Sequence, residues 1–424
     1  MNGNANFNIF SNPILSDMFG VNLNVLLWTS FLLCECCEDK EQRQRCAVVR
    51  RRRIDIDYHW ETLINENEFK RHYRMSSPFF ETLLCKVGPH LHVNEQQSMN
   101  RTGVRPLPPS AKLMLTLSWL AGGDYRNVRM VMGISRAYFY AVAYRVMDVI
   151  AQVETISFPT TAEGLRALRE DFTRLSHNQL FAGCIGCIDG LLVRTITPNT
   201  TQVTNIRDNY SGHYKHYGRN VQACCDAWCR FTSICCNAPG GMNDALAFRR
   251  WNLRNLLQTI LPPGHYLLGD AAYPLLYFLI IPFFGRNGMD ESQRTFNFYL
   301  SQLRIRIEMT FGILVNKWRI LKTPLHLTKE SNVTKVIHTC ALLHNFVITE
   351  NLKKNGRNIT RRMLSDDYNA IMLQCDVDQE EIYDSTSFTT SKDGIEGIDL
   401  RNIIMSIIEE EKFTRPVRNI ERNG

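Results

Sequence analysis

The chain offers little that would carry it into or across a membrane. Its apolar stretch Val25 to Cys34 is too short to span a bilayer core. No Lys or Arg precedes that stretch and no small-residue cleavage site follows it, so secretion is disfavoured. A disulfide framework is also missing. The 14 cysteines fall in irregular clusters, and several sit inside strand-like apolar segments where cysteine acts as a small hydrophobe. Cys184-x-x-Cys187 looks like half of a zinc site, but no second pair answers it, and Cys34-x-Cys36-Cys37 is equally unpartnered. A reducing compartment follows. Strong charge of one sign is lacking as well: the net charge is +7, a mild basic surplus that fits nucleic-acid contact without proving it.

What is present is a soluble composition, 44% hydrophobic, on a chain of 424 residues, enough for two or three domains. Charge is unevenly placed. Arg43, Arg45 and Arg50 to Arg53 form a basic block, and the region after Ser365 is acidic. Arg50 to Arg53 reads equally well as a nuclear-import patch or as a solvated charge run.

Four regions are expected. Residues 1–65 read as a poorly ordered extension rich in Asn, then in Cys and Arg. Residues 66–155 are helical, interrupted from Leu91 to Pro109 by a Pro-containing loop. Within them Ser110, Asp124 and Ser135 stand as caps of three successive helices, with Gly122-Gly123 and Gly133-Ile134 between. The last helix would bury Phe139, Val142, Val146 and Val149 or Ile150, and turn Arg136, Tyr140, Tyr144 and Arg145 outward. A short helix, a tight turn and a second helix with outward Arg and Tyr suit a helix-turn-helix. A plain helical bundle yields the same periodicity.

Residues 178–350 change character. "FAGCIGCIDGLLVRTITP", the two halves of "NVQACCDAWCRFTSICC" about Asp226-Ala227-Trp228, and "HYLLG" read as strands. Helical spacing covers Asp244 to Ile260, Arg294 to about Trp318 and Asn332 to about Leu352. The pattern is a mixed α/β domain with flanking helices. Residues 351–424 are polar and acidic, a mobile tail apart from an amphipathic helix at Leu400 to Glu410.

Carboxylates sit where their surroundings should be apolar. Asp189 closes the apolar strand before Gly190, and Asp270 closes "HYLLGD". Glu308 lies at the border of a helical stripe made by Leu300, Leu303, Ile307, Phe311, Leu314 and Trp318. Carboxylates gathered in a partly buried site repel one another unless a cation neutralises them, and oxygen-only ligands suit Mg²⁺ or Mn²⁺. Two such ions, roughly 3.5–4 Å apart, can drive phosphodiester cleavage. Bland roles compete: Asp189 as a turn residue, Asp270 as a helix cap, and Glu308 paired with Arg304. Singly these are favoured; jointly, the metal reading gains the edge.

The same blocks carry a resemblance. "CIDGLLVR", "PGGMNDALAFRRWNL", "LLGDAAYPL" and "NFYLSQLRIRIEMTFGILVNKWRIL" resemble, in order from Phe181 to Phe346, the PIF/Harbinger transposase superfamily with its domesticated nucleases. The resemblance implies a ribonuclease-H-like mixed sheet and a catalytic triad of Asp189, Asp270 and Glu308, served by Mg²⁺ or Mn²⁺, two ions in number. It also marks Asp244, in "PGGMND", as an accessory ligand or as a rival to Asp270. Asp270 ranks first, because a strand end fixes a ligand more firmly than a Gly-rich loop does. Leu191-Leu192 stand where the family often has Thr-His, which affects substrate contacts but removes no carboxylate.

Basic residues complete the reading. His213, Tyr214, Lys215, His216, Tyr217 and Arg219 alternate rings and cations, and Arg304, Arg306, Lys317 and Arg319 run along the Glu308 helix. With Arg136, Tyr140 and Arg145 they are candidates to hold DNA, or else solvated faces. The resemblance adds transposon-end DNA as partner, a Myb-like accessory protein, room for a homo-oligomer, and the nucleus as location. The leading expectation is a metal-dependent DNA endonuclease or transposase. Its rivals are a DNA-binding or chromatin-associated descendant without cleavage, and a phosphohydrolase of small phosphoesters.

Overall fold

The computed structural model describes residues 51–355 and 392–415, apart from residue 202 and residues 285–287. The segment Val25 to Cys34, the Cys34–Cys37 cluster, Arg43, Arg45, Arg50 and most of the acidic tail lie outside the described residues. Of the basic run, Arg51 and Arg52 are exposed, while Arg53 donates to the carbonyl of Arg105.

Helices come first: α1 (Ile56–Asn65), α2 (Phe69–Tyr73), α3 (Ser77–Val87), α4 (Glu95–Thr102), α5 (Pro109–Leu120), α6 (Tyr125–Val131), α7 (Arg136–Val153) and α8 (Ala162–Leu175). Helix α1 falls inside the stretch expected to be an unordered extension. Asp55 caps it by accepting from the amides of Asp57 and Tyr58, and Trp60 packs edge-on against Phe69 and Phe80. Helix α4 likewise replaces part of the expected loop; Asn94 caps it and Gly103, at φ 66°, ends it.

Asp124 and Ser135 cap α6 and α7 as their positions in sequence require, accepting from the amides of Arg126 and Tyr138. Ser110 does not cap α5, which begins one residue earlier at Pro109, where proline's fixed φ suits a first turn. Phe139, Val142, Val146, Val149 and Ile150 are buried on α7. Arg136 and Arg145 are exposed, but Tyr140 and Tyr144 are half-buried, because Trp119 of α5 packs edge-on against both rings. A tyrosine can bury its ring while leaving its hydroxyl wet, which periodicity alone cannot foresee.

The sheet follows with β1 (Cys184–Arg194), β2 (Tyr210–Ser211), β3 (His216–Cys225) and β4 (Phe231–Pro239). After helices α9 (Asp244–Arg249) and α10 (Asn252–Ile260) it closes with β5 (Tyr266–Leu268) and β6 (Leu279–Ile280). The expected helix from Asp244 to Ile260 is thus broken at Arg250-Trp251. Strand β1 is central: β3 pairs with it antiparallel and β5 parallel. Strand β4 extends the antiparallel side, β6 the parallel side, and short β2 joins β3. This is a mixed α/β architecture, compatible with a ribonuclease-H-like domain. Cys184, Cys187, Cys224 and Cys225 are buried free thiols, filling the sheet as small hydrophobes.

Two long helices and a shorter one flank the sheet: α11 (Glu291–Lys317), α12 (Glu330–Asn355) and α13 (Lys392–Glu410). A reciprocal cap starts α11, Asp290 accepting from the Gln293 amide while the Gln293 side chain accepts from the Asp290 amide. The stripe Leu300, Leu303, Ile307, Phe311, Leu314, Trp318 is buried. Helix α13 begins at Lys392, earlier than the expected Leu400, and packs on α11 and β6. There Gly397 lies so close to the backbone of Leu276 that a Cβ would fall 2.7 Å from its carbonyl carbon. Helix α7 packs on α12, and one hydrophobic core runs from the helical region through the sheet.

Candidate active site

Strand register brings the first two acids together. In the parallel pair, Cys187 of β1 stands opposite Leu268, the last residue of β5. Asp189 and Asp270 each lie two residues beyond that last pair, so both leave the same edge of the sheet, near enough for the charge of Asp270 to act on Asp189. Asp189 does not end its strand as expected. On its other side β1 continues to Arg194 against β3, with Asp189 opposite Ala223 and Gly190 opposite Gln222.

The Asp189 side chain is 19% exposed and accepts the Gly190 amide at 2.8 Å. Burial pushes its carboxyl well above the usual aspartate range, and the charge of Asp270 pushes the same way. Arg304 opposes them, Asp244 adds a smaller upward push, and the Gly190 amide opposes slightly. Asp270 accepts the Ala272 amide at 3.0 Å, which forms an Asx turn. No helix follows Asp270, so the helix-cap role weighed for it does not apply.

Glu308 joins through an arginine. Helix α11 lies against β1, with the Cys187 thiol directed at the Leu303 carbonyl at 3.4 Å. One residue on, Arg304 reaches both acids: Nη2 stands 2.6 Å from Glu308 Oε1 and Nη1 3.9 Å from Asp189 Oδ2. The Arg304–Glu308 pair weighed from sequence therefore exists, and the same guanidinium also faces Asp189. Glu308 keeps 40% of its side chain exposed.

Asp244, the first residue of α9, is held from β3. Its Oδ1 accepts Gln222 Nε2 at 2.7 Å and Asn220 Nδ2 at 2.9 Å. The Gln222 amide also donates to Asn220 Oδ1 at 2.8 Å, and its Oε1 accepts the Tyr273 hydroxyl at 2.6 Å. Asn220, Gln222 and Tyr273 escaped the sequence reading. The signal was available in "NVQACC", where polar residues two apart interrupt a buried strand and so share one face.

The donor chemistry fits a hard cation: oxygen ligands, one of them strongly disfavoured as an anion. Asp189, Asp270 and Glu308 would hold it, with Asp244 beside them. Among the described residues, no three His, Cys, Asp or Glu side chains are drawn together tightly enough to hold an ion as they stand. Glu308 is engaged by Arg304 and Asp244 by its two amides, so binding requires Arg304 to yield.

The basic candidates divide. His213, Tyr214, Lys215 and His216 are exposed at the tip of the β2–β3 hairpin. Arg136 is exposed beside the Tyr125 ring, and Arg145 donates to the His90 carbonyl. Arg219 is engaged within the protein. It pairs with Glu330 at 2.8 Å and donates to the carbonyls of Cys236 and Asn237, tying β3 to β4 and α12. Arg304 serves the acids, and Arg306 and Lys317 are half-buried, Arg306 beside Cys229 and Lys317 near His344. Among the described residues no helix is long and apolar enough to cross a membrane.

Similarity to known proteins falls on the same ground. Residues 188–345 match the family described as DDE superfamily endonuclease. The chain is 22% identical over 296 residues to "Protein ALP1-like" of Arabidopsis thaliana, covering 66% of this chain and 70% of that protein. It is 23% identical over 280 residues to "Putative nuclease HARBI1" of Homo sapiens, covering 64% and 75%. The mouse protein of the same description is 23% identical over 248 residues, covering 57% and 68%. No solved structure matches the chain. The matched segment encloses Asp189, Asp244, Asp270 and Glu308. The resemblance to Harbinger-type DDE proteins is borne out.

Proposed function

We propose that this Harbinger-type DDE protein is a divalent-metal-dependent DNA endonuclease, or transposase, that uses Asp189, Asp270 and Glu308. The endonuclease family over residues 188–345 supports nuclease chemistry at the coarse level. One observation supports the finer reading: Asp189 and Asp270 leave one edge of the β1–β5 pair, and the charge of Asp270 adds to burial in raising the Asp189 carboxyl. Two half-buried carboxylates at one edge, opposed by Arg304, keep a repulsion that a cation or a charged substrate would relieve.

A bound Mg²⁺ or Mn²⁺ pair would supply a Lewis acid for both the attacking and the leaving oxygen of a phosphodiester. The chain's own residues do the rest. Asp189 and Asp270, fixed by strand register, set the position of that charge. Glu308, on α11, would help hold it in place of its pairing with Arg304. Arg304, once released from Glu308, would be available to neutralise a phosphate of the substrate. The exposed hairpin at His213–His216, with Arg136 and Arg145 on α7, would hold flanking DNA, so this reading includes a helix-turn-helix role for α6 and α7. Rejoining of ends, residence in the nucleus, a Myb-like partner and self-association belong to the same proposal.

The Arg304–Glu308 pair also favours a second reading, a DNA-bound protein that kept the fold without cutting. Cleavage of duplex DNA with Mg²⁺ decides between them. Asp189→Ala, Asp270→Ala and Glu308→Ala are each expected to lower the rate at least about 1,000-fold, within the range of essential catalytic groups, with an unchanged circular dichroism spectrum. A variant that cuts at near wild-type rate removes its residue from the site. Wild-type protein that binds DNA but never cuts it supports the second reading, and cleavage of a simple phosphoester in preference to DNA supports a phosphohydrolase.

A further inference from the structure

A hydrogen-bonded chain reaches Asp244 from β3 and from the turn after β5. Tyr273 is fully buried in the turn after β5, and its hydroxyl donates to Gln222 Oε1. Gln222, also fully buried, thereby has its amide orientation fixed. With the oxygen taken by the phenol, Nε2 must point the other way, toward Asn220 Oδ1 and Asp244 Oδ1. Asn220 adds its own amide to the same carboxylate oxygen and anchors on the Met242 carbonyl at 2.9 Å.

The chain converges on one atom. Asp244 Oδ1 accepts two amide donors, while Oδ2 has no hydrogen-bond partner among the described residues. Gly190, next to Asp189, makes the approach feasible: a Cβ there would fall 2.3 Å from Asp244 Oδ1 and 2.8 Å from Gln222 Nε2. No side chain fits between them.

We propose that Gln222, oriented by Tyr273, is a positioning residue that holds Asp244 beside Asp189 with one oxygen committed and the other directed to the metal-binding edge. The inference rests on the metal-dependent reading above. Its logic is that of an outer-shell partner: it fixes a ligand's geometry in advance, so the ion pays no ordering cost. The phenol serves because it stays protonated. Burial first, then the charges of Asp244, Asp189 and Asp270, push it well above the ordinary tyrosine range.

The test uses the full chain. Mn²⁺ binding is measured by calorimetry and DNA cleavage is followed against Mn²⁺ concentration, for wild type, Gln222→Leu, Tyr273→Phe, Asp244→Asn and the double variants. Gln222→Leu is expected to weaken Mn²⁺ binding about 10–100-fold, the usual effect of losing an outer-shell partner. Cleavage should recover at high Mn²⁺. In Asp244→Asn background, Gln222→Leu should cost nothing more, because it acts through Asp244. Additive losses, or a lowered melting temperature with unchanged Mn²⁺ affinity, would show a merely structural role and overturn the proposal. If Gln222→Leu does not fold, Tyr273→Phe, which keeps the ring, carries the same comparison. Wild-type protein that binds Mn²⁺ without cutting DNA sinks the nuclease reading alone, and wild-type protein that takes up no Mn²⁺ overturns both.

Discussion

Replacing Asp189 by Asn should make the metal-free protein more stable at neutral pH while abolishing cleavage. The folded-state carboxyl is raised above the unfolded value near 3.9. The folded protein therefore binds the proton more tightly than the unfolded chain, and stability falls as pH rises through that window. Its stabilising contribution is complete below about pH 4 and lost above the raised pKa. Above it, ionised Asp189 bears burial and the repulsion of Asp270 and Asp244. Against these stand the smaller help of the Gly190 amide and the attraction to Arg304 at 3.9 Å, the latter worth at most about 4 kcal/mol at an effective dielectric constant of 20. That figure is an upper bound, since the other Arg304 nitrogen is committed to Glu308. Because the net direction is upward, the unfavourable causes exceed the favourable ones. Asn keeps the shape and removes the charge, so a gain on the order of 1–2 kcal/mol is expected, or a few degrees in Tm. Thermal unfolding in EDTA at pH 5 and pH 8 checks it: the wild type should lose stability between the two relative to the variant. Equal or lower stability of Asp189→Asn at pH 8 would refute the argument that like charge is concentrated at this edge.

Two further outcomes lie away from the acids. Asp226 in the β3–β4 turn accepts the amides of Trp228 and Arg230 and pairs with Arg230 Nε at 2.7 Å while 2% exposed. Asp226→Ala leaves those half-buried donors without their acceptor and should cost about 1–3 kcal/mol in urea unfolding; a cost under about 0.5 kcal/mol would mean water replaces the carboxylate freely. Lys215 is exposed at the hairpin tip, so Lys215→Gln should weaken DNA binding alike for all sequences and lower the salt slope by about 0.9. An unchanged slope would remove the hairpin from the DNA path.

Sequence legibility followed the size of the local signal. The α11 stripe and the strands β1, β3 and β4 announced themselves, because each buries enough apolar residues to impose a period. Strand β6 is only Leu279–Ile280, too short for any period, and α4 buries none of the side chains described for it, so its polar sequence reads as loop. Helix α8 buries Leu165, Leu168 and Phe172 at helical spacing, a signal that was present and went unread.

The acids were legible as isolated strand-end and stripe-border charges; what joins them was not. Asp189 meets Asp270 through a parallel register set by Cys187 and Leu268, and Glu308 meets Asp189 through Arg304. Neither link has a local pattern, since each depends on which element lands beside which. Asp270 was ranked above Asp244 because a Gly-rich loop should hold a ligand loosely. That premise fails: two amides from β3 grip Asp244, and hydrogen bonds that cross from strand to helix leave no trace in spacing. The ranking nevertheless keeps physical support from a different source. Among the charges acting on Asp189, Asp270 weighs more than Asp244. On the proposed reading a cation shared by Asp189 and Asp270 would relieve the larger of the two repulsions, with Asp244 held rigidly beside them.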